Sequence, residues 1–253
     1  MPNAKYVKTH QPCPDCNSSD ALSVYVDGGT HCFSCHTTHK GENIVPFDNN
    51  AELSKGYSDA IKDRSIRKDV CFRYGVTLTD LDEHIYPYFN KNNSHISNKI
   101  RTKNKQFFTE GDIGQCGLFG QQIFGNGGKY ITLVEGEIDA MSGYQMFDSQ
   151  WPVVSVRSGA QSIEKDINDN YDFLNQFDHI RICLDNDEVG KAAARKASEL
   201  LAPKASIINM RYKDPNEYLE KNAVAEFKQD WWNATTYTPE GIVAGSDLWE
   251  EIN

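Results

Sequence analysis

No apolar run in these 253 residues approaches the length of a membrane span or of a signal-peptide core, so the sequence offers no helical anchor and a cytoplasmic protein is expected. A phosphate-loop signature is missing as well. Gly125-Asn126-Gly127-Gly128-Lys129 comes nearest, but Tyr130 stands where Ser or Thr is required and Ile123 where the first glycine belongs. That stretch reads instead as a hairpin turn leading into a strand. An overall basic excess is also lacking, since the formal net charge is −10, which excludes polyanion binding by blanket positive charge. Finally, the cysteines do not make an even set. Seven are present, four of them in two C-x-x-C pairs, which in a reducing compartment argues metal rather than disulfides.

What is present is unevenly placed. Lys55 to Tyr130 holds 12 Lys and Arg against 8 Asp and Glu, while Ile131 to Asn253 holds 11 against 22. A basic segment therefore precedes an acidic one, the polarity expected of a protein that handles polyanions through cations. Gly41 to Gly56, rich in Asn, Glu and Asp with little periodic hydrophobicity, reads as a flexible linker. Past it, Ser65 is expected to cap a short helix, Ile66 to Tyr74, closed by Gly75. Strands are expected at Ile85 to Phe89 and His95 to Arg101, with the turn Asn92-Asn93 between them. The expected organisation is a metal ribbon at 1–43, a linker at 44–56, a basic α+β subdomain at 57–130, an α/β module at 131–236 and a tail at 237–253.

The ribbon rests on Cys13-Pro14-Asp15-Cys16 and Cys32-Phe33-Ser34-Cys35, with 15 residues between Cys16 and Cys32. Two such knuckles at that separation, with β-rich sequence between them, suit a tetrahedral four-thiolate zinc site. About forty residues bury too little surface to fold alone, so the ion would supply the missing stability. His10, His31, His36 and His39 crowd the same region, but four thiolates already complete the shell. Cys71, Cys116 and Cys183 stand singly and read as small buried hydrophobes. The aromatics Phe119, Phe124, Phe173, Phe177, Trp231 and Trp232 read as core.

Two carboxylate clusters carry most of the information. Glu135-Gly136-Glu137-Ile138-Asp139 follows the β-branched run Tyr130 to Val134, and Asp185-Asn186-Asp187-Glu188 follows His179 to Leu184. Each precedes a helix-like stretch, which puts both at the C-terminal ends of strands in a β-α-β-α pattern, the edge where open α/β sheets bind ligands. An acid there can be merely the N-cap of the next helix, and Asp187 and Glu188 suit that role before the helix Val189 to Leu201. Two clusters on consecutive units point further, because carboxylates crowded together repel unless a divalent cation neutralises them. In the basic part, Lys99-Ile100-Arg101-Thr102-Lys103-Asn104-Lys105 places four cations at alternating positions, hence on one face of a strand; an edge strand guarded by lysines reads the same way. Ser158-Gly159-Ala160-Gln161-Ser162 sits at a strand-to-helix junction where amides could hold an anion, and a simple tight turn explains it equally well.

The E-G-E-x-D stretch at Glu135 to Asp139, the D-x-D stretch at Asp185 to Asp187 and the K-D-x-N-E stretch at Lys213 to Glu217 resemble the TOPRIM module of DNA primases. The order of motifs along nearly the whole chain is similar to the primase half of the phage primase–helicases of the T-seven type. That resemblance implies a mostly parallel TOPRIM-like α/β sheet, preceded by a small basic α+β subdomain and a zinc ribbon. It implies template-directed synthesis of short RNA primers on single-stranded DNA from ribonucleoside triphosphates, a replicative helicase and a DNA polymerase as partners, and no membrane. Tyr237 to Asn253 resembles the start of a linker toward a helicase domain, so a truncated or processed form is expected.

By the same resemblance Glu135, Asp185 and Asp187 hold two magnesium or manganese ions, Asp139 and Asp214 complete the acidic ring, and Glu135 assists proton removal. Lys99, Arg101, Lys103, Lys105 and Gly159 contact nucleotide or primer. The ribbon reads the template through the loop before its third cysteine, where Gly29 stands in place of the family's histidine and His31 is the candidate replacement. Two rivals share the module. A recombination mediator of the RecR kind has a zinc element and no chemistry but normally places a helix-hairpin-helix before the zinc, whereas Cys13 stands almost first. A TOPRIM nuclease or topoisomerase cleaves strands with the same metals, the latter needing a tyrosine nucleophile in a separate large domain.

Overall fold

Short strands flank the two cysteine knuckles: β1 (Tyr6–Gln11), β2 (Leu22–Tyr25), β3 (Thr30–Cys32) and β4 (Thr38–His39). The computed structural model describes residues 6–25, 29–39, 53–125 and 127–236. Most of the expected linker at 44–56 and the whole tail at 237–253 lie outside the described residues. The chain divides into Met1–Lys62 with Arg67–Ile123, and Asp63–Ile66 with Phe124–Asn253.

In the first unit, α1 (Lys68–Tyr74) and β5 (Thr77–Leu78) follow the ribbon, then β6 (His84–Phe89), β7 (His95–Arg101) and β8 (Phe107–Gly111). The strands form one antiparallel sheet of eight in the order β4-β3-β2-β1-β8-β7-β6-β5. β1 is the junction: it pairs with β2 of the ribbon on one side and with β8 on the other. Tyr74 of α1, Tyr86 and Tyr88 of β6, and Phe119 pack as a buried aromatic cluster, with Tyr74 stacked on Phe119 at 5.3 Å. Each large apolar side chain buried in this way contributes roughly 1.5–3 kcal/mol. The helix ends as expected, at Gly75 in the left-handed region with φ 74°. It starts differently. Ser65 is itself left-handed, φ 56°, and Arg67 precedes the helix without a side-chain cap.

In the second unit, β9 (Gly128–Val134), α2 (Glu137–Met146), β10 (Val153–Ser155), α3 (Ile163–Asp169), α4 (Tyr171–Leu174), β11 (Phe177–Cys183), α5 (Glu188–Leu200) and β12 (Ala205–Ile207) alternate, followed by α6 (Pro215–Glu220) and α7 (Val224–Trp232). The sheet has the order β10-β9-β11-β12 and is parallel throughout. The sheet is most buried in β10 and in the C-terminal halves of β9 and β11: Ile131, Leu133, Val153, Val154, Ile180 and Ile182 are at most 1% exposed, whereas Lys129 of β9 and Asp178 and His179 of β11 are exposed. Because β9 pairs only in parallel, with β10 and β11, the turn before it is not a hairpin. Gly127, with φ 67°, sits where a Cβ would lie 2.7 Å from the Gln176 carbonyl oxygen, so close approach to the chain entering β11 fixes that residue. Phe119, Phe173, Phe177 and Trp231 are core as expected, whereas Trp232 is 53% exposed. Cys71, Cys116 and Cys183 are buried.

Candidate metal centres

Register builds the acidic site. Val134 of β9 lies opposite Cys183 of β11 and Ser155 of β10, so the residues that leave these strands, Glu135, Val156 and Leu184-Asp185, emerge side by side at one sheet edge. The helices that follow bring the remaining acids. Asp139 lies in the first turn of α2, Asp187 is the N-cap of α5 and Asp214 the N-cap of α6. The capping role weighed for Asp187 is therefore real, and Asp214 has one too: Asp187 Oδ1 accepts the Gly190 N–H at 2.8 Å and Asp214 Oδ1 the Glu217 N–H at 2.8 Å. Each cap engages one oxygen and holds the carboxylate rigid. Gly190 makes the approach possible, since a Cβ there would stand 2.1 Å from the Asp185 carbonyl oxygen.

The ring is tied by main-chain donors. Glu135 accepts the Ala160 N–H on Oε1 at 3.3 Å and the Asp185 N–H on Oε2 at 3.4 Å. Asp139 accepts the Asn216 N–H at 3.3 Å, and the Asn186 N–H bonds the Lys213 carbonyl at 2.7 Å. Burial, then the charge of Asp185, raises the Glu135 pKa. Burial, then Asp214 and Asp185, pushes Asp139 well above the ordinary aspartate range. Asp185 is also raised, chiefly by burial, although Lys213 opposes the shift. The Lys213 ammonium lies 3.2 Å from Asp185 Oδ2, and that contact raises the lysine in turn. Carboxylates made reluctant to ionise by burial and by one another are the donor set a hard divalent cation relieves. Among the described residues they do not close into a cage: the one group of three or more His, Cys, Asp or Glu whose ligand atoms all lie within 4.8 Å of one another is the cysteine cluster.

That cluster, Cys13, Cys16, Cys32 and Cys35, fits a tetrahedral ion. Bonds of about 2.3 Å to sulfur set sulfur pairs about 3.8 Å apart; Cys13 and Cys35 stand at 3.9 Å and Cys16 and Cys32 at 3.7 Å, far beyond a disulfide. The Thr37 hydroxyl and N–H hold the Cys35 thiol down at about 6, while burial pushes the Cys13 thiol of the same cluster up to about 11. Nearby histidines are engaged elsewhere: His31 Nδ1 meets the Thr38 hydroxyl at 2.9 Å and His39 Nε2 meets Asp15 at 2.8 Å. His31 also packs edge-on against Phe33, which is 56% exposed.

The basic tetrad is split. Lys99 and Arg101 alternate on β7, but Lys103 and Lys105 lie in the turn before β8, where Lys105 is left-handed at φ 61° and its N–H bonds the Thr102 carbonyl. One strand face therefore does not hold all four, and Lys103 pairs with Asp82 at 3.1 Å. Gly159, φ 73°, sits in the β10–α3 loop with its Cα side toward Glu135, where a Cβ would be 3.5 Å from Oε1. Sequence reasoning gave no role to Lys213, although it lies within a quoted motif. It also missed the cavity of about 420 Å³ beside Asp185 and Asn186, walled by Lys191, Arg195 and Asn209.

Comparison with known proteins agrees with this layout. A Toprim-like family model matches residues 132–219, and a model described as the N-terminal α+β fold of bacteriophage T7 DNA helicase/primase matches 56–111. The DNA helicase/primase of Enterobacteria phage T3 is 32% identical over 96% of this chain, which spans 46% of that protein. A structure of bacteriophage T7 lagging-strand DNA polymerase interacting with primase domains bound to an RNA/DNA hybrid matches at 32% identity and TM-score 0.66, covering 72% of this chain and 94% of that one. The crystal structure of the primase fragment of the bacteriophage T7 primase-helicase is matched along 100% of its length and 90% of this chain, at 30% identity and TM-score 0.65. With the whole of that fragment accounted for, this chain belongs to the T7-type phage primases, the primase part of the phage primase–helicases.

Proposed function

We propose that this chain synthesises short RNA primers on single-stranded DNA, joining ribonucleoside triphosphates at the acidic ring of its second unit. The observation that carries the reading is the convergence of Glu135, Asp139, Asp185, Asp187 and Asp214 at one sheet edge, three of them with raised affinity for protons. In the reaction a 3′-hydroxyl oxygen bonds to the α-phosphorus, its proton leaves and pyrophosphate departs. Two magnesium or manganese ions held by Glu135, Asp185 and Asp187 would activate that hydroxyl and stabilise the leaving pyrophosphate. Glu135 would assist in removing the proton, a role that its raised pKa supports. Asp139 and Asp214 add charge that keeps the ring selective for cations.

Lys99, Arg101, Lys103 and Lys105 are the proposed contacts to triphosphate and primer backbone, with Gly159 letting the nucleotide approach the main chain. The four thiolates hold one structural zinc, and His31 contacts the template. The expected partners are a DNA polymerase and a replicative helicase, in the cytoplasm of a bacterial host. Incubation with single-stranded DNA, four labelled ribonucleotides and magnesium should yield labelled oligoribonucleotides. Cleaved DNA instead, or no product while DNA is bound, would replace this reading with a nuclease or a clamp.

A further inference from the structure

We propose that Arg157 and Asp166 form a positioning element for Glu135: they set the β10–α3 loop that presents the Ala160 amide to the Glu135 carboxylate, and so govern how tightly the acidic ring takes a divalent cation. The inference rests on the reading of that ring as a metal site.

Asp166 lies on α3 and is 1% exposed, and Arg157 is 4% exposed. Burying such a pair is costly, and hydrophobic residues of similar volume would often serve stability as well or better, so its location calls for a reason. Asp166 ties both ends of one loop. Its Oδ2 accepts the Arg157 N–H at the loop's entry at 2.7 Å and the Ser162 hydroxyl at its exit at 2.9 Å. Its Oδ1 accepts the Arg157 Nε at 2.6 Å and Nη2 at 2.5 Å, and Nη2 reaches Asp169 as well. Four donors saturate one carboxylate. Between the tied ends stand Gly159, left-handed at φ 73°, and Ala160, whose N–H points at Glu135 Oε1. The loop's other ties are short-range ones: the Val156 N–H on the Val134 carbonyl, the Ser162 N–H and hydroxyl on the Gly159 carbonyl, and the Ile163 N–H on the Ala160 carbonyl. An uncompensated change at Asp166 would therefore release the loop and leave Glu135 with one main-chain donor, at Asp185. Groups that orient a metal ligand without touching the ion commonly change metal affinity 10–100-fold.

The test uses direct binding of Mn²⁺ to the full chain, followed by electron paramagnetic resonance, beside primer synthesis. Asp166→Asn should weaken Mn²⁺ affinity about 10–100-fold while zinc content and the thermal transition show a folded protein. Its synthesis rate should return toward the wild-type maximum as metal is raised, a shift in the metal requirement rather than in the saturated rate. Ser162→Ala should shift affinity less in the same direction, and Ser162→Thr, which keeps the hydroxyl, should restore it. A folded Asp166→Asn with wild-type Mn²⁺ affinity overturns the proposal; if that variant does not fold, a folded Ser162→Ala with wild-type affinity does. Glu135→Gln separates this failure from that of the underlying reading. Should it bind Mn²⁺ and make primers normally, the metal site itself is misplaced and this inference goes with it.

Discussion

Two clusters of cation-seeking side chains stand in this chain and are built on opposite plans. The four sulfurs are drawn within 4.8 Å of one another by two knuckles close in sequence. The carboxylates come from the ends of separate β-α units spread between Glu135 and Asp214; Glu135, Asp139, Asp187 and Asp214 are each held by main-chain N–H groups, and Asp185 by the Lys213 ammonium. The first arrangement is closed and suits an ion that stays. The second is open, as the proposed joining reaction would need for substrate oxygens to enter, and Lys213 gives Asp185 a removable counter-charge. Distance in sequence is thus matched to permanence.

The largest effect should come from breaking the closed cluster. Because binding free energy of roughly 10–16 kcal/mol is typical when ion and fold are coupled, Cys35→Ser should release the proposed zinc ion while the second unit keeps its own thermal transition. Elemental analysis and calorimetry check both halves, and simultaneous collapse of the two units would deny their independence.

Next in size is the open ring. Asp187→Asn removes a charge but keeps an oxygen for the Gly190 N–H, and asparagine caps about as well as aspartate. Primer synthesis should fall by two to three orders of magnitude, about 3–4 kcal/mol of lost transition-state stabilisation, with the melting temperature nearly unchanged. Near-normal yield at ordinary magnesium would show that Asp187 serves as a cap alone.

A pH dependence follows from the shifts in the ring. Glu135, Asp139 and Asp185 all have native pKa values above those of the free residues, so the folded state binds more protons than the unfolded one. Their stabilisation is present below the ordinary carboxylate values of 4.5 for Glu and 3.8 for Asp and is lost as pH rises through the raised native ones. Metal-free protein should therefore lose stability as pH rises out of the ordinary carboxylate range, magnesium should restore it, and Asp139→Asn should flatten the change. Calorimetry across that rise decides; a loss of the same size in Asp139→Asn would remove this carboxylate as its source.

The smallest effect belongs to Lys213. Its side chain is 61% exposed, so the ion pair with Asp185 contributes about 0–1 kcal/mol to folding. Lys213→Met should leave melting almost unaltered and tighten Mn²⁺ binding a few-fold, about 1 kcal/mol, by freeing a ligand oxygen. Weaker binding would show that the lysine organises the ring rather than competing for it.

The same contrast explains what could be read from the sequence. Cysteine spacing is local, so the sulfur cluster was legible from two short motifs. The acidic ring was legible because β-branched runs mark strand ends, while the caps that Asp187 and Asp214 form needed the fold to be seen in full. Lys103 and Lys105 were misplaced because alternation continued past the end of β7, and nothing in the residue types announces the left-handed turn at Lys105. Ser65 has the composition of a cap and the backbone of a turn. Arg157 and Asp166 carry no periodic or motif signal; only the fold of the intervening loop reveals them.

β1 has one more consequence. It covers the flank of β8 and runs directly into the first knuckle at Cys13. Should loss of the ion let β1 peel away, the main-chain N–H and C=O groups of Phe107–Gly111 would become an unguarded edge, with Phe107 and Phe108 beside it. Such an edge recruits strands from other molecules, so chelation is expected to convert a well-behaved solution of this protein into a self-associating one.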